Sequence, residues 1–116
     1  MLKKRERLSK NETKKLLKKS DKINNNFFAI KFRLNKIPFC RYSVAVSKKV
    51  LKPATKRNYL RRQLYEIIRH IPCPTITFDC IIIVKTPTLM LDFQNKKEIL
   101  SKTLEKISLY SAKTNG

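Results

Sequence analysis

Six cations and one acid lie between Lys52 and Arg69: Lys52, Lys56, Arg57, Arg61, Arg62 and Arg69 against Glu66. At about 100° per residue on a helix, Asn58, Arg61, Arg62, Tyr65 and Arg69 project to one side, away from Leu60, Leu64, Ile67, Ile68 and Ile71. Arg57 falls at the first turn near the edge of that apolar stripe, and Lys48, Lys49, Lys52 and Lys56 crowd the approach to it. Guanidinium forks match phosphate oxygens, and a helix N-terminus adds unpaired N–H groups and a positive dipole end. The chemistry offered is the binding of a phosphodiester backbone. A charged helix face is ordinarily just solvated, but here there is too little acid for internal pairing, which favours an RNA-binding surface.

Bond-breaking chemistry is not offered. Cleaving a phosphodiester needs carboxylates gathered around metal ions or a general base beside a nucleophile. The eight acids are scattered and the single histidine, His70, sits at a helix end, so no catalytic residue and no metal ligand is assigned. Cys40, Cys73 and Cys80 form no CxxC pair. His70 is near two of them, but a tetrahedral zinc site lacks a nearby fourth ligand, and the thiols read as small buried side chains. A chain with one glycine also has no Gly-rich loop for a nucleotide phosphate.

The elements that position the basic face follow from periodicity. Ser9 as N-cap with Glu12 three residues on predicts a short helix over 9–19. Asn24-Asn25-Asn26 marks a turn, and Phe28, Ile30, Phe32 and Leu34 alternate with Lys31 and Arg33 as a half-buried strand. Tyr42, Val44 and Val46 predict a second strand, antiparallel to the first. Pro53 ends any strand, and a helix over 55–70 stops before Pro72 and Pro74. The apolar run Phe78 to Val84 suits a central strand covered on both faces. A last helix runs from Asp92, its N-cap, to Leu109. The order α-β-β-α-β-α predicts an α+β sandwich, a small sheet packed by helices, in a single domain over 1–116, with a basic N-terminal arm at 1–8 and a flexible tail at 111–116.

Composition agrees. A hydrophobic fraction of 41% supports a packed core, while 28 Lys and Arg against 8 acids give a formal charge of +20. Such a charge calls for a polyanion and for steep loss of affinity with salt. No apolar run approaches the roughly 20 residues of a membrane span, and no apolar segment follows the basic N-terminus, so no membrane partner is expected and the cytoplasm is the expected location. A DNA reader with a helix in the major groove would need a turn-linked helix pair that the sequence does not offer, so no DNA partner is expected either.

One resemblance is specific. Ser47-Lys48-Lys49-Val50 followed by Lys56-Arg57-Asn58-Tyr59-Leu60-Arg61-Arg62-Gln63-Leu64-Tyr65-Glu66 is similar to the signature of the ribonuclease P protein family, an SKK segment before an RNRxKRxxRE helix. Leu2 to Leu8 through Asn11-Glu12, Asp79 to Pro87, and Ser108-Leu109-Tyr110 resemble other parts of the family, so nearly the whole chain is covered. The resemblance implies a left-handed βαβ crossover and a subunit that assists removal of the 5′ leader from precursor tRNA. The partners it implies are ribonuclease P RNA, which performs the hydrolysis with Mg²⁺ bound mainly by that RNA, and the precursor tRNA itself. It aligns Arg57, Asn58, Arg61, Arg62 and Glu66 with the helix facing the catalytic RNA. It also implies a leader cleft between that helix and the sheet, with Phe28 and Tyr42 as its aromatic surface, although for Phe28 alone the core of the first strand is the favoured role. Tyr59 and Tyr65 stand where the signature usually has Arg, and a tyrosine there can stack on a base or donate one hydrogen bond. Thr13 occupies a place where relatives often carry an aromatic residue. The alternative reading is a ribosomal-type structural protein that binds rRNA.

Overall fold

A computed structural model describes residues 4–71 and 76–115. The first helix, α1 (Lys10–Lys18), starts on the predicted capping box: Glu12 N donates to Ser9 Oγ at 3.2 Å, and Ser9 Oγ donates to Glu12 Oε1 at 3.1 Å. Its inward contact is Leu16, which is buried where α1 lies against the sheet.

Four strands form that sheet: β1 (Asp21–Asn24), β2 (Phe28–Leu34), β3 (Arg41–Ala45) and β4 (Phe78–Val84), in the spatial order β1-β2-β4-β3. β4 pairs antiparallel with β2 along all of both strands and parallel with β3. The two longer helices, α2 (Ala54–Arg69) and α3 (Phe93–Asn115), cover one face. Phe28, Ile30 and Phe32 of β2 and Phe78, Cys80, Ile82 and Val84 of β4 there meet Leu60, Leu64 and Ile67 of α2 and Leu100, Leu104 and Ile107 of α3. Each such side chain contributes roughly 1.5–3 kcal/mol by leaving water. Ile81 points to the other face and is as fully buried, so β4 is covered on both sides, which is why its sequence is almost continuously apolar.

Three expectations change. The strands at 28–34 and 41–45 run in opposite directions but do not pair, because β4 lies between them. A strand apolar on both faces is most stable at the centre, and the six-residue connection 35–40 easily spans the roughly 10 Å of two strand spacings. Asn35 shapes that connection, donating through Nδ2 to Phe39 O at 3.2 Å and to Asp79 Oδ1 at 2.8 Å. Next, β1 occupies a segment with no alternating pattern: of Asp21, Lys22, Ile23 and Asn24, just Ile23 packs on the core. The turn after it is held by Asn25 Oδ1, which accepts from the N–H groups of Phe27 and Phe28 at 2.8 Å each. Finally, α3 extends past its expected end at Leu109 to Asn115, because no proline or glycine interrupts it.

Asp92 caps α3 as predicted, its Oδ1 accepting from Asn95 N at 2.8 Å. α2 joins the parallel pair β3 and β4 as a βαβ unit, at the position where the family resemblance implies the crossover. The outer edge of β3 is not left bare. Leu8 N donates to Tyr42 O at 2.9 Å beside a bridge between Arg7 and Tyr42, and Val44 N donates to the Tyr65 hydroxyl at 3.1 Å. No helix among the described residues is long and apolar enough to cross a membrane.

Candidate nucleic-acid interface

The apolar stripe of α2, Leu60, Leu64, Ile67 and Ile68, is buried against the sheet, which fixes the opposite side toward water. Asn58, Arg62 and Arg69 are exposed there and Arg61 is half-buried. Lys48, Lys49, Lys52 and Lys56 are exposed at the entrance to the helix. Pro53 is the N-cap and supplies no side-chain acceptor, and no acid sits in the first turn. The positive end of the helix therefore adds to the lysines around it.

The predicted site residues do not all have the same freedom. Lys48, Lys49, Lys52, Lys56 and Arg62 form no ion pair among the described residues. Arg57 Nη1 donates to Leu51 O at 2.9 Å and also to Lys52 O, so it pins the loop that presents the lysines. Arg61 donates to Asn58 Oδ1 one turn back. Arg69 donates to Glu66 Oε1 at 2.8 Å, and His70 Nε2 lies 3.2 Å from the same oxygen. Mainly through Arg69, the Glu66 carboxyl is held down at about 2. Tyr65 is half-buried, and its hydroxyl turns sideways to the edge of β3.

Phe28 is a core residue, and Tyr42 is mostly buried in the core with one side on a small cavity of about 280 Å³ shared with Phe39 and Arg69. Phe28 is fully buried, and Tyr42, 8% exposed, packs edge-on against Phe78 with ring centroids 5.9 Å apart. Both point to the face under α2 and α3, since alternate residues of a strand share a face. Phe39 and Tyr65 are the aromatics of a larger cleft. A cavity of about 630 Å³ beside β3 is bounded by Arg5, Arg7, Ser9, Phe39, Arg41 and Tyr65, with Glu12 at its wall. The Arg5 guanidinium lies 5.4 Å from the centre of the Phe39 ring, a cation–π arrangement. Arg41 donates through Nε to Asp79 Oδ1 at 2.9 Å and through Nη2 to Asp79 Oδ2 at 2.6 Å, and it also pairs with Glu12. These contacts, Asp79 foremost, raise the Arg41 guanidinium above its ordinary value and tie α1 to the sheet. Sequence reasoning assigned Arg5 and Arg7 just to a basic arm and did not single out Phe39 or Arg41. The only signal was the cluster Arg5-Glu6-Arg7, whose return along β3 is a tertiary contact.

The carboxylates nearest this surface, Glu12, Glu66 and Asp79, are all engaged by cations, and no group of three or more His, Cys, Asp or Glu side chains is gathered among the described residues. This donor set does not fit Mg²⁺, which takes oxygen ligands with carboxylates among them. Cys40 and Cys80 are buried, with burial pushing the Cys80 thiol well up, and Cys73 lies outside the described residues.

The sequence profile of the Ribonuclease P family matches residues 2–108. The chain is similar to the "Ribonuclease P protein component" of Legionella pneumophila (strain Corby), 35% identical over 105 residues that cover 87% of each chain. It is also similar to the protein of that name from Buchnera aphidicola subsp. Baizongia pistaciae, 30% identical over 108 residues, covering 93% of this chain and 91% of the other. Among solved structures, the RNase P protein of Staphylococcus aureus superposes with a TM-score of 0.74 at 26% identity, covering 88% of this chain and 94% of that one. The RNase P protein from Thermotoga maritima does so with a TM-score of 0.69 at 27% identity and the same coverage.

Proposed function

The chain belongs to the ribonuclease P protein family, and from that premise we propose that it grips two RNAs at once: the catalytic RNA along α2 and the 5′ leader of precursor tRNA in the cleft beside β3. The observation that carries this reading is the α2 surface, where Lys48, Lys49, Lys52, Lys56 and Arg62 are exposed and make no ion pair among the described residues. Unpaired surface cations release the counterions of a phosphate backbone when they bind it. Arg5, Arg7 and Phe39 offer charge and a ring to a single strand, whose bases stack on aromatics.

Hydrolysis belongs to the RNA subunit in this reading, with Mg²⁺ held mainly by that RNA. The protein's part is to screen phosphate charge and to fix the leader, which lowers the magnesium concentration the RNA needs. The test is cleavage of a 5′-extended precursor tRNA by a bacterial ribonuclease P RNA at low magnesium, with and without the protein. Stimulation that falls when Arg61 and Arg62 are both changed to Ala is the expected result. Unchanged cleavage and unchanged magnesium dependence on adding the protein would sink the proposal, and tight RNA binding without stimulation would favour the ribosomal-type reading.

A further inference from the structure

On the flank of α2 away from the β3 cleft, a groove of about 420 Å³ runs between the helix, the turn Thr86–Met90 and the start of α3. Leu51, Leu60 and Leu89 line it with apolar surface, while Lys56, Gln63 and Lys96 bring polar heads. Tyr59 lines it too and is 69% exposed, the most open of the large apolar or aromatic side chains among the described residues apart from Met90. The volume falls in the range of sites that take a small organic group, about 300–1,000 Å³.

Several features specify the occupant. No acid lines the groove, so its rim of Lys56 and Lys96 selects an anion. Lys96 Nζ donates to Gln63 Oε1 at 2.7 Å, and an ammonium has two further N–H donors. Burial holds this ammonium below the usual lysine range, against the pull of Asp92, so a phosphate oxygen there replaces lost hydration. Gln63 keeps an amide N–H pair and a lone pair, the combination that reads a base edge. Tyr59 and Arg62 are three residues apart on α2, neighbours about 60° around the helix, so the groove is continuous with the basic face. At position 59, moreover, a flat ring stands where the family signature usually has a guanidinium fork.

We infer that this groove receives one unstacked nucleobase of the ribonuclease P RNA, stacked on Tyr59, with the flanking phosphates on Lys56 and Lys96 and the base edge on Gln63. The inference rests on the proposed function and adds to it a base contact beside the phosphate contacts.

The experiment compares binding of the unaltered protein, Tyr59→Ala, Tyr59→Phe and Lys96→Ala to a bacterial ribonuclease P RNA over a range of salt, with chemical probing of base reactivity. Stacking on an aromatic sets the expected loss for Tyr59→Ala at about tenfold to a hundredfold, with an unchanged salt slope because no charge is removed. Tyr59→Phe keeps the ring and stays within about threefold. Lys96→Ala lowers the slope by about one. One base protected by the unaltered protein regains reactivity with Tyr59→Ala. Equal affinity for Tyr59→Ala, or a Tyr59→Phe variant as weak as the alanine variant, overturns the inference. A defect confined to precursor tRNA binding by the assembled complex overturns it as well, since the leader would then occupy the groove. Should the unaltered protein itself fail to bind the RNA, the functional reading falls first, whereas tight binding indifferent to Tyr59 removes the groove alone.

Discussion

Arg41 on the sheet donates to both oxygens of Asp79 and reaches Glu12, whereas Arg62 on α2 has no ion-pair partner among the described residues. The two guanidinium groups are chemically identical, yet the carboxylates around them differ. Of the eight acids, Glu12 and Asp79 hold Arg41, Glu66 holds Arg69, and Glu98 holds Lys102, all away from the loop of lysines before α2. A formal charge of +20 therefore says little by itself. Placement of the few acids decides which cations build the protein and which remain for a phosphate.

Asp79→Ala is the severest challenge to that division. It removes both Asp79 oxygens from the Arg41 guanidinium, leaving Glu12 as its remaining acidic partner, and takes one acceptor from Asn35, at a site where Asp79 is 5% exposed. A loss of about 3 kcal/mol is expected, read from the urea midpoint, since removing the buried member leaves Arg41 with just the more exposed Glu12 and leaves Asn35 short of an acceptor. The RNA affinity of the protein that stays folded should not change, and a stability loss below about 1 kcal/mol would erase the distinction. Arg62→Ala is the mirror image. Stability should stay within about 0.5 kcal/mol, while RNA affinity drops about tenfold and the slope of log affinity against log salt shrinks by about one. Binding isotherms at three salt concentrations and one thermal melt decide it.

The smallest effect is at Glu66, where the pairing is on the surface. Its carboxyl is held at about 2, below the ordinary 4.5, with Arg69 as the leading cause. Glu66 thus adds to stability above pH 4.5, and the contribution fades as pH falls toward 2. Glu66→Gln should flatten the acid limb of the stability profile in that interval, as followed by urea midpoints against pH. A profile unaltered by the substitution would mean that Arg69 is as free as Arg62.

Much of this was legible in the sequence because it depends on local rules. The cap at Ser9 and Glu12, the stripe Leu60, Leu64, Ile67 and the run Phe78 to Val84 each obey one period or one capping pattern. β1 was not legible, since Asp21-Lys22-Ile23-Asn24 has a single apolar residue and no alternation, and is recruited by the strand beside it. Strand order escaped for a related reason: alternation tells which face of β2 and β3 is buried, not which strand lies between them. The site divided in the same manner. Cations on α2 could be placed by helical geometry, but Tyr65 could not, because a long phenol can leave its projected direction to reach a strand edge. The family resemblance puts Phe28 and Tyr42 on a cleft while the strand period puts Phe28 in the core, and the fold buries both rings. Arg5, Arg7 and Phe39 meet through chain segments more than 30 residues apart, and no periodicity reports such a meeting.

The central place of β4 also governs when the protein can fold. β2 and β3 are made early but have no direct partner in each other, and the strand that joins them ends at Val84. There is no local hairpin of those two strands to nucleate the sheet, so its closure waits on contacts of long sequence separation, the kind that slow folding. During synthesis, then, β2 has just the short β1 to pair with, and β3 has no strand beside it, until roughly the last third of the chain arrives.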